Sequence, residues 1–348
     1  MSSVIENREK KENVHSSREI LFLFDARDCN PNGERDEGLA GPRIDPYTNK
    51  AMVTDVCLKR TIREYWNKKF NSNTDNVLIR NSGEYTLSEQ LTMKKVFLRD
   101  LHLDIDDSIE IYSKDWIKEC ESKISDLEKE DLYKLIKSRF IDHRLFGSII
   151  KIKGEFFNSM GPVQFENSLS LNIPTVHQVP ITSTIASESG KGAGAMGRYY
   201  FLDYAIFFVH GIFKKSLADI TGTTEKDLLK LYDGLWNGIK SNITRTKLNQ
   251  YPRLLLSIKM KDFRTQIPSI SKSIELRNKD ARNYIECELN VERLVELLKD
   301  FGKEIDSIEY KQDLQSNFYY QGENFKDVRK MNDFIDYDLN FKEINFKF

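Results

Sequence analysis

Residues 18–25 read REILFLFD and residues 199–213 read YYFLDYAIFFVHGIF, and the reading of these two apolar runs decides the fold. The first is short and rich in Phe, Ile and Leu, the signature of a buried strand. The second is long enough for a buried helix, but its aromatic and β-branched content favours a strand. A helix follows each run. Thr54 is a good N-cap, and Asp55 in the first turn meets the helix dipole. From there DVCLKRTIREYWNKK keeps Val56, Leu58, Ile62, Tyr65 and Trp66 for packing and sets Lys59, Arg60 and Arg63 together on the other face. Thr224-Glu225-Lys226-Asp227 is a capping box with Asp in place of Glu, and it opens residues 225–240, where leucines and Trp236 form an apolar stripe.

Two further runs, LFGSIIKI (145–152) and LLLSIKM (254–260, just after Pro252), read as strands. The order is then strand, helix, two strands, helix, strand. This is the α+β, ferredoxin-like or split βαβ order, shared by RNA-recognition domains. Residues 18–260 carry it, interrupted by insertions at 70–143 and 154–198. Residues 261–348 are a C-terminal extension, and residues 1–17 read as a frayed, disordered tail. Within the insertions, residues 115–137 form one or two surface helices and residues 163–165 a short strand. Residues 28–46 hold so many turn formers that they read as an ordered loop. Residues 291–300 are an acidic helix, and residues 331–348 are either a terminal strand pair or a docking tail. Residues 182–197 (TSTIASESGKGAGAMG) supply almost no packing side chains and read as a mobile loop or a hairpin that orders on a partner.

The chain has 348 residues, and roughly 150 residues per domain makes two domains the starting expectation. A 39% hydrophobic content excludes a wholly disordered chain. No apolar run is long enough for a membrane helix, and the N-terminus lacks the apolar stretch of a secretory signal. Cys29, Cys57, Cys120 and Cys287 are dispersed, so reduced thiols in a cytoplasmic protein are expected. The charge balance is 53 Lys+Arg against 54 Asp+Glu, but residues 139–284 carry 21 against 12, a net of +9. A basic middle in a neutral chain suits a polyanion-binding face; uneven spread and solvated helices would produce the same counts.

Enzymatic signatures are sparse. There is no G-x-S-x-G, no phosphate-binding G-x-x-x-x-G-K-[ST], and no zinc spacing among the five histidines. No cofactor or metal is expected. Asp25, Asp28, Asp36 and Asp45 cluster around the first strand's end; they either hold Mg²⁺ for phosphodiester cleavage or form turns. Lys59, Arg60 and Arg63 make a row that can follow phosphates, or a solvated helix face.

Five strings taken together resemble the guide-RNA-binding backbone subunit of type I CRISPR surveillance complexes (Cascade), nearest the Csh/Csd-like form of subtypes I-B and I-C. They are FDARDCNPNGERDEGLAGPRIDPYTNKAMVTDVCLKRTIREY (24–65), FIDHRLFGSIIKIK (140–153), MGPVQFENSLSL (160–171), AMGRYY (195–200) and NQYPRLLLSI (249–258). In the fourth, Tyr stands at both positions where relatives carry K-H. The resemblance implies an RRM-like palm with a finger insertion (70–143) and a thumb (182–197). It implies a non-catalytic subunit that stacks in copies along CRISPR RNA and holds the guide for pairing with target DNA. The implied partners are a Cas-five type subunit, a large subunit and a guide-processing endoribonuclease, with no membrane. The rival implication is a type III-like backbone subunit that cleaves target RNA through a loop aspartate and a metal, with Asp28 or Asp36 in that part. Residue by residue, the resemblance makes Lys59, Arg60 and Arg63 phosphate contacts and puts Arg43 on the P-R-x-D string and Asn30 and Asn32 on the N-P-N-G turn. Gln164 and Ser168 become polar contacts and Met196 an apolar wedge between bases. Arg144 on D-x-R-L-F-G, Arg198 on M-G-R and Arg245 in the basic middle complete the expected RNA-binding set.

Overall fold

The structure, a computed structural model, describes residues 14, 16–33, 41–70, 76–79, 93–101, 103–106, 108–152, 155–182 and 196–346. It divides into two compact units. The first is built from Ile62–Gln164 and Lys214–Gly234, the second from Ser16–Thr61, Phe165–Phe213 and Leu235–Phe348.

The second unit is organised by β1 (Arg18–Cys29), buried from Arg18 through Ala26. A run with no polar alternation needs cover on both faces, and here it has neighbours on both edges as well. On one edge β8 (Met196–Phe213) runs antiparallel, from Arg18 opposite Phe213 to Cys29 opposite Leu202. On the other, β9 (Gln250–Met260) runs antiparallel with a register shift at Leu23/Phe24, where Pro252 stands opposite Phe24. Proline has no N–H for the ladder, so a bulge at this point is expected. Beyond β8 come β6 (Ser168–Ser170) and β2 (Met52–Val53), and β7 (Val176–Thr182) also pairs with β8. Beyond β9 come β12 (Ile305–Gln312) and, parallel to it, β15 (Phe341–Glu343).

The extension beyond residue 260 shares a core with this sheet. Leu21, Leu23, Ile206, Leu254 and Leu256 pack with Leu289, Val291, Leu294 and Leu298, the last two on α8 (Glu292–Asp300). Phe24 stacks on Phe207 with ring centroids 5.0 Å apart. The C-terminal segment forms a single strand, β15, and Met331, Ile335 and Leu339 are buried in the same core. It is therefore neither a strand pair nor a detached tail through residue 346. Ser16 and Ser17 are buried too, with Ser17 Oγ donating to the Phe263 carbonyl at 3.0 Å, so the expected frayed tail is ordered at its end. Residues 1–13 and 15 lie outside the described residues.

The first unit is mostly helical. α2 (Met93–Asp100), α3 (Lys114–Asp126) and α4 (Lys129–Arg139) close a small core around Trp116, Ile124, Leu132, Ile136 and Phe140. The 115–137 pattern is thus two helices, broken where Leu127 and Glu128 turn extended. α1 (Asp55–Lys69) and α7 (Glu225–Ser241) cross the unit boundary, and within this unit Trp66 Nε1 donates to the Lys230 carbonyl at 2.9 Å. Gly234 permits the approach, because a Cβ there would sit 2.8 Å from Ile62 Cγ2.

One strand expectation is corrected. Leu145 and Phe146 belong to α5 (Ile141–Phe146), and β3 (Gly147–Ile152) pairs only with β4 (Glu155–Met160), outside the large sheet. Gly147, at φ +73°, ends the helix in a conformation that redirects the chain. The place beside β8 is taken by β6 instead, with Leu169 opposite Phe208.

Candidate nucleic-acid interface

The expected site residues separate into three groups. Arg144 and Arg63 are engaged inside the first unit. Arg144 forks onto Asp227, Nε at 2.9 Å and a terminal nitrogen at 2.8 Å, and donates to the Lys137 carbonyl at 2.9 Å. Both side chains of that pair are buried. Asp227 also accepts from Thr224 N, and Thr224 Oγ1 accepts from Asp227 N, so the capping box forms with Asp as read. Arg63 Nε donates at 2.9 Å to Asp142, a buried carboxylate that also accepts from Leu78 N and Ile79 N. The expected open row on α1 is corrected accordingly. Lys59 is buried and paired with Asp55 one turn earlier, Arg63 is turned to Asp142, and Arg60 is the exposed member.

The second group builds the loop that follows β1. Asn30 N donates to the Thr246 carbonyl, and the Asn32 carbonyl accepts from Arg43 N. Asn32 and Ser168 are buried, and the Ser168 hydroxyl donates to the Phe208 carbonyl at 2.9 Å. Asn30 Oδ1 and Arg43 Nε are buried with no hydrogen-bond partner among the described residues. Gln164, in the first unit, is exposed and donates to the Gly161 carbonyl. Asn32 Nδ2 donates to the Met52 carbonyl and the Ser168 hydroxyl is held by β8, so both side chains are engaged within the second unit.

The third group, Met196, Arg198 and Arg245, belongs to the second unit, and both arginines are exposed. β7 is an edge strand, and opposite it β8 begins with Met196, Gly197 and Arg198. Thr182 pairs with Met196, so the two strands lead directly into and out of residues 183–195, which lie outside the described residues along with the Met196 side chain. Strand alternation puts Tyr199 and Phe201 on one face, with His177 directly across from Phe201. The three rings stack in a row, with centroids 5.2 Å apart for His177–Phe201 and 5.5 Å for Tyr199–Phe201. The Arg245 guanidinium lies over the Tyr199 ring at 5.3 Å, and its carbonyl accepts the Tyr199 hydroxyl. Arg198, Arg245 and His177 are exposed, as are Val176 and Val179 on the edge strand. Burial raises the Tyr199 phenol above its ordinary value of 10.0, which keeps it a neutral donor. Arg27, paired with Asp28 at 3.3 Å, is exposed where the Asn249 carbonyl accepts its backbone N–H.

Sequence reasoning singled out Arg198, Met196 and Arg245 here but missed His177, Tyr199 and Phe201. The signal was present: Y-x-F near the start of a strongly aromatic strand, just after a segment without packing residues.

The described carboxylates near β1 do not gather into a metal-holding group. Asp25 is buried and bound by the Arg253 fork at 2.9 and 3.0 Å, with burial pushing its pKa up against that pairing. Asp45 accepts from Thr48 in a turn, and Asp36 lies outside the described residues. Among the described residues no group of three or more His, Cys, Asp or Glu side chains is placed to hold a metal ion.

A family model described as CRISPR-associated protein Cas7 matches residues 16–292. The chain belongs to this family. It is 27% identical over 318 residues to the CRISPR-associated protein Cas7 of Haloferax volcanii, covering 83% of this chain and 85% of that one. Its fold is similar to a chain of a solved CRISPR RNA-guided surveillance complex, pre-nicking, with a TM-score of 0.50, 15% identity, and coverage of 87% of this chain and 96% of that one. A chain of a second CRISPR RNA-guided surveillance complex gives a TM-score of 0.45 at 14% identity, over 88% of this chain and 95% of that one. The match to residues 16–292 takes in β1, both helices α1 and α7, and the β7–β8 face of this Cas7 family member. Among its described residues no helix is long and apolar enough to cross a membrane.

Proposed function

We propose that the chain is a multi-copy backbone subunit that binds CRISPR RNA in a type I surveillance complex of the Csh/Csd-like I-B or I-C form, as a scaffold and not as a nuclease. The observation that carries this is the His177–Phe201–Tyr199 row, its histidine exposed and its other two rings half-buried, with the exposed Arg245 guanidinium over its end, on a chain of the Cas7 family. Every base has a π-face, so stacked rings edged by cations grip a single strand without reading its sequence. Sequence recognition then falls to pairing between the guide and target DNA, and the protein serves the backbone.

The antiparallel order β9-β1-β8-β6, with α1 following β1 and α7 following β8, supports an RRM-like palm. In this reading residues 182–197 are the thumb and Met196 its wedge. The partners are further copies along the guide, a Cas-five type subunit, a large subunit and a guide-processing endoribonuclease in the cytoplasm. The pairing of Asp28 with Arg27 at 3.3 Å supports the scaffold reading over metal-dependent RNA cleavage at that aspartate.

Co-expression with a CRISPR array tests the proposal. The purified chain is expected to carry RNA in a regular length pattern and to leave complementary RNA intact in Mg²⁺. Nucleic-acid-free protein under those conditions refutes guide binding, and cleavage that needs Asp28 or Asp36 refutes the scaffold role.

A further inference from the structure

A cleft of about 410 Å³ opens within the second unit, away from the β7–β8 face, between the large sheet and residues 271–279 of the extension. Its floor is apolar, made by Leu169 on β6, Leu171 just after it and Phe208 on β8. Lys50, Lys272 and Lys279 stand around it together with the exposed Glu275, and among the described residues none of the three lysines is in an ion pair. One wall is a polar relay. His210 Nε2 meets Glu19 at 2.7 Å and its Nδ1 meets Glu166 at 2.8 Å. The Glu166 side chain is 57% exposed, so its second oxygen is open to a ligand. Asn167 contributes an amide whose oxygen already accepts Asp55 N and whose NH₂ remains to donate.

These groups set the chemistry of an occupant. The volume falls in the roughly 300–1,000 Å³ range of small-molecule sites. Three unpaired ammonium groups call for a phosphate-like anion. An apolar floor calls for a flat or apolar body. Carboxylates standing among the lysines would repel a bare polyanion, yet they would accept hydrogen bonds from hydroxyl or amino groups. One ligand class carries anion, flat ring and hydroxyl donors together. We propose that this cleft binds a single nucleotide, the ring on Leu169, Leu171 and Phe208, the phosphate among Lys50, Lys272 and Lys279, and the sugar hydroxyls or exocyclic amine toward Glu166. The nucleotide is either free or the terminal unit of an RNA strand. The site is independent of the guide-binding reading.

Calorimetric titration of the full chain with AMP, adenosine and inorganic phosphate tests this. AMP is expected to bind tightest. Lys272→Ala with Lys279→Ala removes two exposed charges and should weaken AMP about a hundredfold, since each charge-assisted contact is worth about a decade. The melting temperature should hold, and Arg245→Ala, on the other face, should leave AMP affinity unchanged. A short 5′-phosphorylated RNA that AMP displaces identifies a strand end as the ligand; AMP binding indifferent to that RNA identifies a free nucleotide. Phosphate binding as tightly as AMP, or AMP affinity unmoved by the double substitution, overturns the proposal. So does capture of a glutamate-rich peptide without AMP binding, which would make the cleft a protein-docking site.

Discussion

Arg144→Ala separates an internal role from an RNA-contacting one more sharply than any other substitution in this chain. The guanidinium is buried, forks onto Asp227 and holds the Lys137 carbonyl, while the Arg144 carbonyl accepts the Thr223 hydroxyl at the entrance to α7. Truncation leaves the Asp227 carboxylate buried with only its capping contacts from Thr224. Removing one partner of a buried pair costs about 3–5 kcal/mol, because the remaining charge has lost both water and counter-charge. With a shift of about 2–4 °C per kcal/mol, the melting temperature should fall by about 6–20 °C. Arg144→Lys should recover only part, since an ammonium cannot reproduce the fork. The double substitution Arg144→Ala with Asp227→Ala should lose less than the sum of the singles, the sign of direct coupling. Thermal melts read this, with RNA filter binding run beside them. If Arg144→Ala melts within about 2 °C of the parent yet loses RNA affinity, the residue faces the guide and the burial argument is wrong.

Burial alone would lower the His210 pKa, but its hydrogen bonds to Glu19 and Glu166 outweigh that and raise it above the ordinary 6.5. The contribution is therefore complete below pH 6.5 and is lost as pH rises through the higher folded value, so the urea-midpoint gap between parent and His210→Gln should shrink on going alkaline; a gap that widens contradicts it. Gly161→Ala should destabilise by about 1–3 kcal/mol or more, because its Cβ would meet Phe146 C at 2.3 Å and Gly147 N at 2.4 Å; denaturant melts check this. Arg198→Ala with Arg245→Ala should weaken RNA binding and flatten its dependence on log salt by about two phosphate contacts, leaving the melt unchanged. Lys59→Ala with Arg63→Ala should instead lower the melting temperature, since Arg63 neutralises buried Asp142; an unchanged melt would return that pair to the surface.

Much of the large sheet and its helices was legible because these elements are locally decided. The run at 18–25 is too apolar for any place but a sheet interior, Thr54 and Thr224 announce their helices with side-chain caps, and the 199–213 run became a strand as its composition favoured. The 145–152 run was misassigned to the large sheet because local pattern carries no information about which strand a strand pairs with. Gly147 and Gly161 divert it into its own hairpin, and nothing in the alternation of that run marks this.

The candidate interface divides along the same line. By itself the sequence determined the family, through ordered strings whose turn and helix residues are read locally, and it located the segment that leads into residues 183–195. Only the tertiary structure decided which cations face outward. Arg63 and Arg144 looked equivalent to Arg198 and Arg245, since charge and spacing are the same whether a side chain meets solvent or a buried carboxylate. The deciding partners, Asp142 and Asp227, lie 79 and 83 residues away in the chain. The stacked row of His177, Phe201 and Tyr199 likewise exists only through the register of β7 on β8, because cross-strand neighbours are made by pairing and no single strand encodes them.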